Sequence, residues 1–187
     1  YNSSEVIMDL TEKTIRENKV YEGRIFNVYS DEVSLPDGTH SKRDWVQHNG
    51  GAGILVVDEN KDVYLVKQYR YAVGKEMLEI PAGKIDKGEN PYDTAIRELE
   101  EELGFKADKV ESLGVLLPTV GYVSEHIYLY LATTFTKTKQ KLDEGEFVNI
   151  VKMPLENLVN MIKNDEIEDG KTITAVTKYL LKTKQLG

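Results

Sequence analysis

The sequence predicts an α+β fold in which a mixed β-sheet lies between helices. Short alternating segments separated by turns predict β-hairpins. Apolar residues at helical spacing predict a long helix from Asn90 to Gly104, and further helices are expected at Pro154–Lys163 and Thr172–Lys182. Hairpins combined with helices favour packed layers of both kinds of element.

The beginning of the chain predicts a separate β-hairpin arm. Residues 1–18 are polar and predict a lead-in or a first strand. Residues 24–34 then alternate between apolar and polar, Pro36-Asp37-Gly38 supplies a turn, and a second strand is expected through Trp45 and Val46.

We therefore predict two domains, an N-terminal β-hairpin arm over residues 1–48 and a main domain over residues 49–187. The glycine-rich run Gly50–Gly53 predicts a flexible join between them. The strands expected in the main domain are Ile54–Val57, Val63–Tyr69, Met77–Ile80, Leu113–Leu117, Ile127–Thr134 and Phe147–Val151.

Composition restricts the class of protein. The 187 residues are 40% hydrophobic and 30% charged, which is typical of a soluble globular chain. A formal net charge of −8 without a basic stripe argues against nucleic-acid binding by counterion release, although phosphorylated ligands could still bind through metal ions. The absence of cysteine excludes disulfides, thiolate zinc sites and cysteine nucleophiles.

The sequence also predicts where the protein works. No apolar run approaches the length of a membrane span, and Tyr1–Leu10 lacks the pattern of a signal peptide. We expect a cytoplasmic protein that does not bind membranes.

The helix from Asn90 carries an unfavourable acidic cluster, formed by Glu98, Glu100, Glu101 and Glu102. Like charges at these spacings repel by roughly 0.2–0.5 kcal/mol per pair, and the C-terminal end of a helix disfavours anions. On a helical projection Glu98, Glu101 and Glu102 fall within a sector of about 100°, beside the apolar stripe. Hard divalent cations such as Mg²⁺ bind such oxygen clusters and add substrate phosphates to their shell.

A solvated acidic face is the simplest alternative for a glutamate-rich helix. Here, however, the cluster follows a loop over residues 83–89, in which Gly83 and Gly88 permit tight backbone near a ligand. Asn90 is a favourable N-cap, followed by Pro91 at N1. Loop, cap and carboxylates together favour a functional site.

This segment resembles the Nudix box. Gly83, Glu89, Arg97-Glu98-Leu99, Glu101-Glu102 and Gly104-Phe105 match the box at every defined position. The resemblance implies the Nudix fold, an α/β/α sandwich in which a mixed β-sheet lies between helices. It also implies that the box forms a loop-helix-loop that holds Mg²⁺ or Mn²⁺.

The resemblance assigns roles within the box. It implies that Glu98 and Glu102 bind metal directly, that Glu101 is a ligand or bridging carboxylate, and that the Ala82 carbonyl also reaches metal. It implies that Arg97 orients the glutamates. For Arg97, and for Glu89 in the loop, a purely structural role is expected.

The flanking segments resemble the ADP-ribose pyrophosphatase branch of the family. These segments are Lys67–Arg70, Leu78–Gly83 and Thr119–Glu125, although Val120 stands where the branch usually has proline. The candidate substrate-binding residues are Arg43, Arg70, Glu79, Lys84, Gly121 and Glu125.

Four of these candidates have a physical reason. Arg70 offers a planar fork that suits pyrophosphate oxygens, although a surface ion pair is an equal alternative. Gly121 would let backbone amides approach a ligand, and Glu125 could accept from ribose hydroxyls. Arg43 could stack on adenine. In this branch the arm exchanges onto a partner subunit, so the resemblance implies a swapped homodimer.

The segment Leu142–Glu146 resembles the mobile acidic loop that supplies a general base in this branch. We align Glu144 with the base and Glu146 with a further metal ligand, and the two roles could be exchanged. A solvated acidic turn is the alternative.

The sequence therefore predicts metal-dependent hydrolysis of ADP-ribose to AMP and ribose 5-phosphate. Three alternatives remain. They are hydrolysis of another nucleoside diphosphate derivative (a sugar nucleotide, a flavin or nicotinamide dinucleotide, or a diadenosine polyphosphate), nonhydrolytic sensing of ADP-ribose, and a plain acidic interaction domain.

Overall fold

The structure, a computed structural model, describes residues 8–184, which divide into two compact units. The first unit extends to His48 and includes Thr119–Glu125, and the second comprises Asn49–Pro118 and the chain from His126 onward. No sequence signal indicated that Thr119–Glu125 belongs with the first unit. Within residues 8–184, no helix has the length and apolar character needed to cross a membrane.

The first unit contains a four-stranded antiparallel sheet. The predicted hairpin is present, because β3 pairs with β4 along its length from Phe26↔His48 to Ser34↔His40. Two short strands pair with the other edge of β3, so part of the predicted lead-in is ordered strand, while residues 1–7 lie outside the described residues. The strands are β1 (Lys13–Arg16), β2 (Lys19–Glu22), β3 (Phe26–Ser34) and β4 (His40–His48).

The second unit contains a seven-stranded mixed sheet in the order β11-β6-β5-β10-β9, with β7 paired to β6 and β8 to β5. The β5–β10 pair is parallel and the other pairs are antiparallel. The strands are β5 (Gly51–Val57), β6 (Asp62–Arg70), β7 (Lys75–Glu79), β8 (Ala82–Lys84), β9 (Phe105–Leu116), β10 (Ile127–Lys137) and β11 (Val148–Pro154). The helices are α1 (Pro91–Leu103), α2 (Leu155–Lys163) and α3 (Gly170–Lys182).

The central strand β5 is buried on both faces and divides the core of this unit into two layers. Ile54 and Val56 face a cluster that includes Leu99 of α1. Leu55 faces the opposite cluster, in which Leu158 of α2 packs. Because side chains alternate along a strand, one short apolar segment supports helices on both sides of the sheet. The predicted sandwich is confirmed.

Two local predictions about the sheet were wrong. Gly50–Gly53 is not a flexible join, because β5 begins at Gly51 and the following residues are buried. A Cβ at Gly53 would lie 3.1 Å from Cδ1 of Ile80, so glycine permits close packing here. Strand β9 begins at Phe105, well before the predicted Leu113, since long-range pairing with β10 outweighs its charged sequence.

Helix α1 begins and ends where its sequence predicts. The Asn90 side chain accepts a hydrogen bond from the Asp93 N–H at 3.0 Å, and Pro91 occupies the first helical position. Gly104 ends the helix in the left-handed conformation, with φ 66°. These two ends fix the register of the acidic cluster relative to the sheet.

Candidate active site

Helix α1 turns two of its glutamates into the protein. Glu98 and Glu102 are only 7% and 4% exposed, while Glu101 is half-buried. Glu98 and Glu102 are one turn apart, so both follow the side of the helix that packs on the sheet. Carboxylates are rarely buried to this extent unless they are paired or bind a cation.

The strand β8 supplies the surface on which these two carboxylates lie. A Cβ built on Gly83 would be 1.8 Å from Oε1 of Glu98, so glycine is required for this approach. The Ala82 N–H donates a hydrogen bond of 2.9 Å to Oε2 of Glu102. The loop that precedes the helix and the end of the helix are therefore in direct contact.

Arg97 ties the acidic residues together. Its guanidinium donates to Glu98 at 2.7 Å, to Glu101 at 2.8 Å and to Glu89 at 3.1 Å, and it also reaches the carbonyl of Lys84. The hydrogen bond from Arg97 is the main reason that the pKa of Glu89 falls to about 2. These contacts hold the acidic side chains of the loop and the helix against one guanidinium.

Burial dominates the electrostatics of the two inward glutamates. It raises the pKa of Glu98 to about 7, against the lowering effect of Arg97, and the pKa of Glu102 to about 8, against the hydrogen bond from Ala82. The negative charge of Glu146 raises the pKa of both residues further. The acidic loop therefore places Glu146 within electrostatic reach of the pair.

The segment before the acidic loop is fastened to the C-terminal end of α1. The Gln140 side chain donates to the Glu102 carbonyl at 2.7 Å, and the Lys141 N–H donates to the Glu101 carbonyl at 2.9 Å. Beyond it, Glu144 and Glu146 are both exposed. This attachment satisfies carbonyls that the helix itself leaves without a partner.

The donor atoms of the site are carboxylate oxygens, the ligands that hard divalent cations prefer. Glu102 accepts one side-chain hydrogen bond, from Ala82, and forms no ion pair with any residue between 8 and 184. An ionised carboxylate in that environment has no cation in direct contact, and a bound divalent cation would provide one. No three acidic or histidine side chains in the same range are spaced to enclose an ion, and Arg97 binds Glu98 and Glu101 instead.

Arg70 and Glu79 form one unit. Arg70 donates from Nε and Nη2 to the two oxygens of Glu79, both at 2.7 Å, and Glu79 is 2% exposed. The Lys171 ammonium also bonds Glu79. Glu79, predicted to bind substrate, thus has both oxygens occupied, and Arg70 forms an ion pair with a buried partner. Lys84 is exposed on β8.

The remaining predicted substrate residues belong to the first unit. Arg43 is paired with Glu12 through contacts of 2.6 and 2.8 Å. Glu125 lies 3.4 Å from Nδ1 of His48. A Cβ at Gly121 would meet no atom within 4 Å, so nothing in this unit crowds that position.

Three residues at the start of α3, which the sequence analysis did not predict as site residues, contact each other or the segment Glu79–Ile80. Asp169 caps the helix, Lys171 pairs with Glu79, and Thr172 accepts from the Ile80 N–H at 2.8 Å. The predicted helix began at Thr172 and missed its first turn. An N-cap aspartate before glycine was the available signal, but its contact with residues near 80 depends on the tertiary structure.

The protein is an α/β/α sandwich with an acidic site that can accept a cation. The site is formed by two buried glutamates that lie against a strand containing glycine. A family profile described as the NUDIX domain matches residues 47–176. A second profile, the nucleoside diphosphate sugar hydrolase N-terminal domain, matches residues 12–46. The chain therefore belongs to the Nudix family of hydrolases, which generally depend on divalent metal ions.

Characterised relatives match nearly the whole chain. It is 37% identical over 175 residues to the ADP-ribose pyrophosphatase of Bacillus subtilis (strain 168), a match that covers 92% of this chain and 95% of that protein. It is 39% identical over 171 residues to the methanol dehydrogenase activator of Bacillus methanolicus, covering 90% and 92%. A crystal structure of an ADP compounds hydrolase shares the fold, with a TM-score of 0.82, 22% identity and coverage of 96% and 98%.

Proposed function

We propose that this Nudix hydrolase cleaves the pyrophosphate bond of ADP-ribose, giving AMP and ribose 5-phosphate, with Mg²⁺ or Mn²⁺. The observation that carries the proposal is the buried pair Glu98 and Glu102, held against Gly83 and Ala82 beside an acidic loop. The Bacillus subtilis relative, named for this activity, supports the choice of substrate.

Glu98, Glu102 and the Ala82 carbonyl are the proposed metal-binding groups, with Glu101 and Glu146 as further ligands. When bound, the divalent cation neutralises phosphate oxygens and acidifies water. Arg97 donates hydrogen bonds to Glu98 and Glu101. These bonds orient the two carboxylates and give their charges a partner.

The acidic loop supplies the proposed general base, Glu144, with Glu146 as the alternative. The base accepts a proton from water as the water oxygen forms a bond to phosphorus, and the bond from phosphorus to the bridging oxygen breaks. The electron pair of that bond leaves with the second phosphate. Both glutamates are exposed, so either can approach a bound substrate by movement of the loop.

Arg70 and Lys84 are proposed to bind pyrophosphate oxygens. Glu79 occupies Nε and Nη2 of Arg70, while Nη1 makes no hydrogen bond within residues 8–184 and so can donate to a phosphate. We therefore assign Glu79 to the support of Arg70. Lys84 offers a mobile point charge from β8.

We further propose a homodimer in which the arm, residues 1–48, exchanges between subunits and brings Arg43 to the adenine. Gly121 and Glu125 are proposed to contact the ribose end of the substrate. Light scattering should then give a mass near twice 21.2 kDa, and a monomer would refute the exchange. Exposed apolar side chains on β1–β3 support an interface, namely Ile15, Val20, Tyr21 and Phe26.

A substrate panel with Mg²⁺ tests the activity, comparing ADP-ribose with sugar nucleotides, dinucleotides and diadenosine polyphosphates. We expect the largest kcat/KM for ADP-ribose. E98Q and E102Q should lose about a hundredfold or more of that activity, whereas E100Q, on the same helix, should retain it. Preference for another compound would change the substrate, and tight binding without turnover would indicate a sensor.

A further inference from the structure

We propose that Lys171 is a positioning residue for the hydrolysis, because it fixes Glu79 and through Glu79 the guanidinium of Arg70. The inference rests on the proposed function, since it gives Arg70 a pyrophosphate to bind. Lys171 lies at the start of α3, outside the segment of sequence that carries the metal glutamates.

Glu79 receives two cations on one buried carboxylate. Arg70 donates to both oxygens at 2.7 Å, and the Lys171 ammonium donates to Oε2, the oxygen that also accepts from Nη2 of Arg70. Burial alone raises the pKa of Glu79, but the bonds and charges of Arg70 and Lys171 outweigh it and lower the pKa below its usual value. The carboxylate therefore stays ionised and holds the guanidinium fork.

Lys171 bridges two carboxylates that would otherwise repel each other. Its side chain is 11% exposed, and it bonds Asp169 at 2.9 Å as well as Glu79. Asp169 is itself fixed, because its other oxygen accepts from the Thr172 N–H at 2.9 Å. A neutral side chain at position 171 would leave Glu79 and Asp169 facing each other without a shared cation, and Glu79 would shift.

Two contacts of this segment would transmit a displacement of the Glu79 carboxylate to the active site. Arg70 is bound to Glu79 through two hydrogen bonds of 2.7 Å, and Glu79 lies three residues before Ala82, whose N–H donates to Glu102 at 2.9 Å. Glu79 also precedes Ile80, whose N–H is held at 2.8 Å by Thr172 of the same helical turn. Lys171 thus acts on the position of Arg70 without touching substrate itself.

A double-mutant cycle tests this role. K171M should lower kcat/KM for ADP-ribose by about 10–100-fold, as expected for a residue that orients a substrate-binding group. R70M should lower it at least as much, and the double variant should fall no further than R70M, since both changes remove one interaction. K171R should recover most of the activity. The matched control is K182M, which removes a surface lysine of the same helix.

The outcomes are distinct. Wild-type kinetics for K171M, or effects of K171M and R70M that multiply, would overturn the proposal, because a merely structural lysine adds its own independent loss. Melting curves verify that each variant is folded, and K171Q, which retains an N–H donor, replaces K171M if that variant unfolds. If ADP-ribose is not the substrate, wild type and K182M are inactive as well, and the cycle is run on the preferred compound.

Discussion

The Glu98 carboxylate occupies the space that a side chain at position 83 would need. A Cβ on Gly83 would lie 1.8 Å from Oε1 and 2.2 Å from Cδ of Glu98. Helix α1 and strand β8 are therefore matched at one point where a carboxylate packs on bare backbone. The absence of a side chain at Gly83 leaves the space that the Glu98 carboxylate occupies, so the position of Glu98 depends on this glycine.

We expect G83A to displace Glu98 and to lower kcat/KM by about a hundredfold, because a misplacement of about 1 Å at a catalytic group has effects of that size. Steady-state kinetics at saturating Mg²⁺ measure it. The matched control is G170A, where an added Cβ meets no atom within 4 Å. Normal activity in G83A would show that Glu98 can leave this position without consequence.

The stability of the metal-free protein should depend on the charge of Glu102. The pKa of about 8 in the folded protein lies above the ordinary value of 4.5, so the folded state binds the extra proton between these pH values. The contribution of Glu102 to the free energy of unfolding is therefore fully present below about pH 4.5 and is lost as the pH rises through about 8. E102Q removes the charge, so in EDTA at pH 8 its melting temperature should exceed that of wild type by several degrees.

This advantage of E102Q should disappear near pH 4.5 and should reverse when Mg²⁺ is added at pH 8, since the cation stabilises the ionised wild type. Calorimetric melts of both proteins at the two pH values decide. E100Q is the control, because Glu100 lies on the same helix but is only partly buried. A lower melting temperature for E102Q in EDTA at pH 8 would contradict the assignment of a costly buried charge.

Gln140 should position the acidic loop. Its amide bonds the Glu102 carbonyl, and a Cβ at Gly104 would lie 2.6 Å from the Gln140 N, so the segment packs closely on the helix end. We expect Q140A to lower kcat about tenfold and to raise the Mg²⁺ concentration for half-maximal activity. The exposed neighbour Lys139 gives the control, K139A. An unchanged Mg²⁺ requirement in Q140A would show that Gln140 does not position Glu146.

Arg97 should require its planar fork and not only its charge. It bonds Glu89, Glu98 and Glu101 at once, which a lysine ammonium cannot reproduce with the same geometry. R97K should therefore lose about tenfold or more in kcat/KM while remaining folded. Kinetics and a melting curve of the same preparation are the measurements. Full activity in R97K would mean that charge alone suffices.

Local signals in the sequence determine helix α1 and its acidic end. Asn90, Pro91 and Gly104 act through the backbone of their immediate neighbours, so their effect is readable without the fold. The same is true of the hairpin turn at residues 36–38 and of the alternation in β10. The match of Gly83 and the glutamates to the Nudix box likewise needs only spacing along the chain.

Other features depend on residues that are distant in sequence. The sequence of Gly51–Gly53 suggests a flexible linker, but in the fold these residues pair with β8 and β10. Lys171 has no distinguishing feature in the sequence, and its role depends on the contact with Glu79. The burial of Glu98 and Glu102 also follows from packing on β8. By itself the sequence determined the helix, the carboxylates and the family, because these arise from local spacing. Tertiary structure alone decided which charges are buried and which residues support them, because burial and long-range pairing depend on the whole sheet.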